Sequence, residues 1–354
     1  MRCNSRACRT TFGPNFFVEN GNKVNTAAPE DVSDVLFVYM KVGFAVNYLK
    51  YHVGLEFRAS VPARAAQDVY DNVFGHSCKE QQFRKLHGDA LMYWLTLNEL
   101  TPLKLHNNIV IGQELSPESL KAYDSYLHEK IFPPSTVQRA KVFEVVGDGH
   151  TKVHVKCGET TTHQGRPRKN GKSKPYGHGW FMMVNPRDQR ILAVSCMSQP
   201  ENNPIVHSSL LTILPKYKNL DGFVMDRVCG FAPKAKEDSD LKQIKYWAID
   251  HFHALRHKQT CAYNPLYVKR LGKRFKGINL SAAEQVFSWF RNYARILNEA
   301  RPLRHSFKVL YFVKQHNMAI RFKKATYLNK HQRLPKKTSK SYACSKKVSK
   351  VMKK

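Results

Sequence analysis

The spacing of apolar residues predicts helices through most of the first third of the chain. Apolar positions recur every three to four residues in segments that we interpret as helices, over 31–58, 62–74 and 79–99. A further helix is predicted to begin after Ser116, with Pro117 as its first residue, and to continue to about Phe132. We therefore expect 1–135 to form an α-rich N-terminal region, for which DNA binding is a candidate role.

Two segments before residue 50 carry separate signals. Asn20 and Gly21 lie within 16–24, and this pair predicts a hairpin turn. The most apolar run, 35–49, is too short to cross a bilayer and carries Lys41 in its middle. We interpret that run as a buried helix. No apolar run follows the arginines of the first ten residues, unlike the pattern of a secretory signal.

From about residue 136 the pattern changes from helical spacing to strands. Strand-like runs are predicted at 141–147, 151–157, 179–185, 190–197, 222–225 and 245–249. A helix is predicted at 204–215, and helices dominate after Ser281. The order β-β-β-α-β-α-β-α is that of the RNase H-like fold. We therefore predict an α/β domain over 136–320, with a mixed sheet and flanking helices.

The charge of the chain narrows the class of partner. It has 58 Lys and Arg against 27 Asp and Glu, a net charge of +31. Such an excess repels itself unless an anion neutralises it, and nucleic acid is favoured over an acidic membrane surface. The eight cysteines lack the spacing of a disulfide framework, which fits a reducing compartment. Residues 321–354 hold thirteen Lys or Arg and no acid, so we expect a disordered basic tail that suits nuclear targeting.

Acidic residues end or follow several predicted strands. Asp148 closes the first run, Asp226 follows 222–225, and Asp250 follows 245–249. Glu284 lies on a predicted amphipathic helix. Three acids that converge at one end of a sheet can hold two divalent ions about 4 Å apart, which activate the nucleophile of phosphodiester chemistry. Oxygen ligands of this kind favour Mg²⁺ or Mn²⁺.

Each acid also has a structural interpretation. Asp148 precedes Gly149, and this pair is typical of a hairpin turn. Asp226 and Asp250 have the position of caps to the helices that follow them. Ser281 and Glu284 have the spacing of a capping box. The combination of these acids in this strand order, on a strongly basic chain, favours the catalytic interpretation.

Four motifs carry a resemblance to a known family. They are VVGDGHTKVHVKCG (145–158), FVMDRVC (223–229), AIDHFHALRHKQTC (248–261) and GINLSAAEQVFSWFRNYARIL (277–297). With them, 145–317 resembles the eukaryotic DDE cut-and-paste transposases of the RNase H superfamily. The group it resembles most is the Kyakuja–Dileera–Zisupton-like set, which is associated with cysteine clusters.

The resemblance implies a role for five residues. Asp148, Asp226 and Glu284 match the three acids that bind the metal ions in this family. Asp250 and His253 match its Cys/Asp-x-x-His element, which implies that they order the catalytic pocket. Only two cysteines precede residue 50, Cys3 and Cys8, so the expected cluster is nearly absent. A truncated or host-adopted derivative is therefore the alternative to an active transposase.

Two basic clusters are candidates for DNA binding. Arg166, Arg168 and Lys169 lie in a glycine-rich stretch whose Gly-Arg-Pro core resembles an AT-hook, although a solvated loop is the commoner explanation. The second cluster comes shortly before Glu284 and comprises Lys269, Arg270, Lys273, Arg274 and Lys276. We expect the second cluster beside the acids, where a phosphodiester must be held.

A zinc site is a further candidate. His253, His257 and Cys261 are spaced four apart, so they share one face if the segment is a helix. With Cys229 they would supply four zinc ligands. The favoured alternative is a basic helix face whose histidines contact phosphate or carbonyl oxygens.

The predicted function is that of a nuclear transposase-type enzyme. It would cleave DNA phosphodiester bonds with Mg²⁺ or Mn²⁺ and transfer the strand to a target, without a membrane anchor. The alternative is a nuclear DNA-binding protein that keeps the fold and has lost turnover. Sequence specificity, assembly into a homo-oligomer and the role of the N-terminal region are left open.

Overall fold

The computed structural model describes most of the chain between residues 11 and 321. The described residues are 11–12, 15–32, 34–39, 42–74, 81–133, 136–151, 179–197, 201–300 and 302–321. Several predictions therefore lie outside the described residues: the cysteines Cys3 and Cys8, the strand over 151–157 beyond Thr151, the cluster of Arg166, Arg168 and Lys169, and the basic tail after Arg321.

Ten strands and twelve α-helices are present within the described residues. The strands are β1 (Thr11–Phe12), β2 (Phe16–Glu19), β3 (Asn22–Asn25), β4 (Val35–Tyr39), β5 (Val42–Ala45), β6 (Glu144–Thr151), β7 (Gly179–Val184), β8 (Ile191–Met197), β9 (Gly222–Val224) and β10 (Tyr246–Ala248). The helices are α1 (Val46–Ala59), α2 (Ala63–Phe74), α3 (Gln81–Leu100), α4 (Pro117–Tyr126), α5 (Thr136–Arg139), α6 (Asn203–Ile213), α7 (Val228–Ala235), α8 (His251–Ala254), α9 (Lys269–Arg274), α10 (Ala282–Phe290), α11 (Ala294–Glu299) and α12 (Pro302–Arg321).

Two local predictions in the N-terminal region are confirmed. β2 and β3 form an antiparallel hairpin, and Asn20 and Gly21 at its turn have φ angles of 49° and 79°. Positive φ at both turn residues is what a type I′ turn requires. At the start of α4, the Ser116 hydroxyl accepts a hydrogen bond from the Ser119 N–H at 3.1 Å, so it caps the helix.

The run 35–49 is not one helix, so that prediction is wrong. β4 and β5 pair antiparallel, and α1 begins only at Val46. Leu36 and Val38 are buried, whereas Val35 and Tyr39 are exposed. This alternation has the period of two that defines a strand with one buried face. The high apolar content of the run masked that period.

A five-stranded mixed sheet forms the centre of the molecule. Its strand order is β10-β9-β6-β7-β8, in which β10, β9 and β6 are parallel and β7 is antiparallel to both of its neighbours. β6 continues through Asp148, which lies opposite Met182 of β7. The interpretation of Asp148 and Gly149 as a hairpin turn is therefore wrong, since both residues belong to the strand ladder.

Helices cover both faces of the sheet and enclose a separate core on each. On one face, Val146, Trp180 and Met182 pack with α3, α10 and α12 and with the N-terminal strands. On the other face, Val145 and Phe181 pack with α6 and α7. Because side chains alternate along a strand, Asp148 points to the same face as Val146, toward α10. None of the helices in the described ranges has the length and apolar character needed to cross a membrane.

Candidate active site

Three acids lie level with one another across the parallel strands. The register pairs Val146 of β6 with Val224 of β9, and Val224 with Ala248 of β10. Asp148, Asp226 and Asp250 each follow the paired residue of their own strand by two positions. The parallel strands therefore bring all three acids to the C-terminal end of the sheet. Sequence reasoning predicted this convergence from the positions of the acids after strands.

Helix α10 adds the fourth predicted acid. Asp148, Asp226, Asp250 and Glu284 line one narrow cleft, whose walls also include Leu280 and Ala283. We call this the acid cleft. Ser281 precedes α10 but makes no side-chain capping bond, so the capping-box interpretation of Glu284 is wrong. Instead the Glu284 carboxylate lies 3.6 Å from the Arg291 guanidinium and retains access to solvent.

The position of Asp148 makes its negative charge costly. Burial raises the pKa of the Asp148 carboxyl well above its ordinary value. The neighbouring charges of Glu284, Glu201 and Asp226 raise that pKa further, in this order. The Gly149 N–H donates to Asp148 Oδ1 at 2.8 Å and opposes the shift only in part. A nearby cation would relieve this mutual repulsion.

Asp226 and Glu284 share the same electrostatic environment. Burial is the main cause that raises the pKa of each carboxyl. The charge of Asp250 raises both pKa values as well, whereas His253 lowers both. Asp226 Oδ1 also accepts a hydrogen bond from the Arg227 N–H at 2.6 Å. This bond joins adjacent residues and does not cap α7, whose N-cap is Arg227.

Glu201 is a fifth acid that sequence reasoning missed. Burial raises its pKa to about 7, and the charge of Asp226 adds to the rise. A Cβ atom on Gly149 would overlap the Glu201 carboxylate, so the glycine permits this close approach. Glu201 lies just before α6 and outside any motif, and only the tertiary structure shows that it joins the site.

Asp250 has a structural and an electrostatic role. It is buried, and its Oδ1 atom accepts the N–H groups of Phe252 and His253 at 2.9 and 3.0 Å, which caps α8. Its Oδ2 atom lies 2.7 Å from Nδ1 of His253. The expected cap is therefore confirmed, and the contact fixes the imidazole ring next to the acid cleft.

The donor chemistry of the acid cleft suits a hard divalent cation. Its candidate ligands are carboxylate oxygens, which Mg²⁺ and Mn²⁺ prefer over sulfur ligands. Asp148, Asp226 and Glu284 are the residues that would hold such an ion. Burial is the main cause that raises the pKa values of these three carboxyls, and the charges of neighbouring acids add to the rise. Among the residues that the structure describes, no group of three or more His, Cys, Asp or Glu side chains has positions that could hold a metal ion as they stand.

The second basic cluster lies away from the acid cleft. The Arg274 guanidinium contacts Asp221 and Glu144, which stand at the N-terminal ends of β9 and β6. The acids lie at the C-terminal ends of the same strands, so the expectation that this cluster sits beside them is wrong. The buried Glu144 carboxylate pairs with Arg274 as well as with Arg187, and the Arg274 pair fixes α9 at the opposite end of the sheet. Lys269, Arg270 and Lys273 share α9 with Arg274, and Lys276 is exposed just after it.

Only some of the candidate zinc ligands lie close to one another. α8 ends at Ala254, so the predicted helical face shared by His253, His257 and Cys261 does not exist. The Cys229 thiol lies 3.6 Å from Nε2 of His257, and burial raises the pKa of Cys229, with a smaller contribution from the charge of Cys261. The His253 ring is directed instead to Asp250.

Comparisons with known proteins add no assignment. No protein-family model matches the chain, and neither a curated protein nor a solved structure matches it.

Proposed function

We propose that this chain is a DDE transposase-type enzyme that cleaves DNA phosphodiester bonds and transfers strands with the help of Mg²⁺ or Mn²⁺. The observation that carries the proposal is the acid cleft itself. Four acids from three parallel strands and one helix meet there, and burial, with a further contribution from the neighbouring acids, raises the pKa values of three of them. The helix cap explains why Asp250 is buried. No such structural role accounts for the free-energy cost of burying Asp148, Asp226 and Glu284.

The fold supports the same proposal at the level of architecture. The described strands and helices of the central sheet follow the order β-β-β-α-β-α-β-α that we expect for an RNase H-like domain. β6, the first strand of this domain in chain order, is central in the sheet. β9 and β10, its fourth and fifth strands, run parallel to β6. We propose an RNase H-like domain on this basis, with the first acid on the central strand.

We assign a different chemical role to each group of residues in the site. A divalent ion held by Asp148, Asp226 and Glu284 would activate water or a 3′-hydroxyl and stabilise the leaving oxygen. Asp250 orients His253, whose ring lowers the pKa values of the neighbouring carboxyls. Glu201, with a pKa of about 7, is suited to take up or release a proton near neutral pH.

A nicking assay tests the proposal. Supercoiled plasmid DNA is incubated with the full chain in Mg²⁺, in Mn²⁺ or in EDTA, and the conversion to open circles is measured. The parent protein should nick only with metal, and Asp226→Asn should lower the rate by at least about 100-fold, the scale of removing one key electrostatic group. The matched control is Asp240→Asn, since Asp240 is an exposed acid on the surface. Equal nicking by parent and Asp226→Asn would show that the assignment is wrong.

The rival function is that of a nuclear DNA-binding protein without turnover. The net charge of +31 favours it, because phosphate binding needs cations and not the acid cleft. Tight, salt-dependent DNA binding by a parent protein that never nicks in either metal would establish the rival and exclude the enzyme.

A further inference from the structure

The N-terminal end of the sheet carries an open depression lined almost entirely by cations. Its lining residues are Tyr246, Lys269, Arg270, Lys273 and Arg274, and it is widely open to solvent. We call it the basic depression. Tyr246 begins β10, the strand at one edge of the sheet, and the four cations come from α9.

The tyrosine ring organises two of the arginines. The guanidinium carbons of Arg270 and Arg274 lie 5.0 and 5.2 Å from the centroid of the Tyr246 ring. Both distances are within the range of cation–π attraction. The two guanidinium groups therefore stand around one flat surface and are held in place before any ligand binds.

The cations of the depression differ in how their charge is neutralised. Arg274 forms ion pairs with Glu144 and Asp221, so it anchors α9 to the sheet. In the part of the chain that the structure describes, no carboxylate pairs with Lys269, Arg270 or Lys273, and all three are exposed. Three unpaired cations converge on the depression. Such a group attracts an anion with several charges more strongly than one with a single charge.

The basic depression and the acid cleft lie at the two ends of the same edge strand. Tyr246 and Asp250 are separated by four residues of extended chain, a span of roughly 13 Å at the usual rise of a strand. This is less than half a helical turn of B-DNA, which is about 34 Å long. One duplex that crosses the edge at β10 can therefore reach both places.

We propose that the basic depression binds the phosphate backbone of the same DNA duplex that the acid cleft cuts. The proposal rests on the proposed function for the choice of DNA as the partner and for its cleavage in the acid cleft. Arg270, Lys269 and Lys273 contact successive phosphates, while Tyr246 and Arg274 hold α9 in position. These contacts carry no sequence information, so the depression fixes the position of the duplex and does not select its sequence.

Salt-dependent binding in EDTA tests the proposal without any cleavage. The anisotropy of a labelled 30-base-pair duplex is measured with the full chain between about 50 and 300 mM salt. Arg270→Gln combined with Lys273→Gln should weaken binding by roughly 10-fold or more at 0.1 M salt and reduce the slope of log K against log salt by about 2, because each phosphate contact contributes about 0.9. The matched control, Lys104→Gln with Lys121→Gln, removes two exposed lysines that do not line the depression and should keep the parent slope.

Further variants make each outcome decisive. Arg270→Lys with Lys273→Arg preserves the charge and should keep the parent slope, which excludes a loss caused by misfolding. An unchanged slope in the Gln pair would overturn the proposal. The proposal would also be overturned if the Gln pair kept its binding to DNA and lost only its binding to vesicles of phosphatidylserine and phosphatidylcholine. The depression would then be a membrane contact. Nicking by the parent protein is measured separately in Mg²⁺ and Mn²⁺, so failure of the catalytic proposal is distinguished from failure of this one.

Discussion

The Asp250 carboxylate lies 2.7 Å from Nδ1 of His253 through one oxygen, while its other oxygen caps the helix that carries the same histidine. Asp250 therefore contributes both to the stability of α8 and to the negative charge of the acid cleft. The two roles can be separated by substitution, since asparagine is as good an N-cap as aspartate but carries no charge.

We expect Asp250→Ala to lower the free energy of unfolding by about 1 kcal/mol more than Asp250→Asn, because only the alanine variant loses the cap. Urea unfolding at pH 7 measures the difference. Ser281→Ala is the control, since Ser281 occupies the N-cap of α10 without forming a capping bond and its loss should cost less than about 0.5 kcal/mol. Equal stabilities of the two Asp250 variants would argue against the cap.

Glu201 should make stability depend on pH near neutrality. Its pKa rises from 4.5 to about 7 in the folded chain, so the folded state binds the proton more tightly than the unfolded state. This stabilising contribution is complete below about pH 4.5 and is lost as the pH rises through 7. Glu201→Gln should therefore raise the melting temperature by roughly 2 °C or more at pH 8 and leave it unchanged at pH 4.

Thermal unfolding in metal-free buffer at both pH values checks this prediction. Glu237→Gln serves as the control, because Glu237 is exposed and does not line the cleft. A gain in melting temperature that is the same at pH 4 and pH 8 would mean that Glu201 does not titrate in this range.

Divalent ions should stabilise the parent chain. An ion that binds only the folded state with a dissociation constant of about 1 mM contributes roughly 1.4 kcal/mol at 10 mM, which corresponds to a few degrees of melting temperature. Thermal shift with MgCl₂ or MnCl₂ measures this effect without any assay of activity. Asp226→Asn should abolish the shift, and Asp240→Asn should keep it. A shift of the same size in all three proteins would place the ion elsewhere.

Arg274 and Arg270 should differ sharply in their contribution to stability. Glu144, which is 1% exposed, pairs with both Arg274 and Arg187, whereas Arg270 forms no ion pair within the described residues and lies over the Tyr246 ring. Arg274→Ala leaves the buried carboxylate with Arg187 as its remaining cation and should cost roughly 2 kcal/mol, less than the loss of every partner would. Arg270→Ala should cost less than about 1 kcal/mol. Urea unfolding of the two variants decides the point, and equal losses would contradict the ion-pair network.

The sequence predicted features that depend on neighbouring residues or on strand order. The Asn20-Gly21 turn and the Ser116 cap are local, and their chemistry can be read from adjacent residues. Asp148, Asp226 and Asp250 were found because parallel strands end together at one side of a sheet. Glu284 required the resemblance as well, since an acid on a helix has no such constraint.

The features that the sequence did not predict depend on tertiary contacts. Glu201 enters the site because β6 carries a glycine at its closest point, Gly149, and no spacing rule links the two residues. Helix α9 lies at the other end of the sheet because the buried Glu144 pairs with Arg274, 130 residues away in the chain. The hairpin of β4 and β5 was missed because strongly apolar runs satisfy a helical and a strand period at once.

The core shared by the N-terminal region and α10 determines how the polypeptide tolerates shortening. Phe57 of α1 packs against Trp289, and its carbonyl oxygen accepts a hydrogen bond from the Tyr293 hydroxyl at 2.6 Å. A fragment that begins at residue 136 would expose this face of the sheet to solvent and would remove the packing that holds the helix carrying Glu284. Deleting the N-terminal region would thus disrupt the arrangement of the acid cleft, although the deletion removes none of its carboxylates from the sequence.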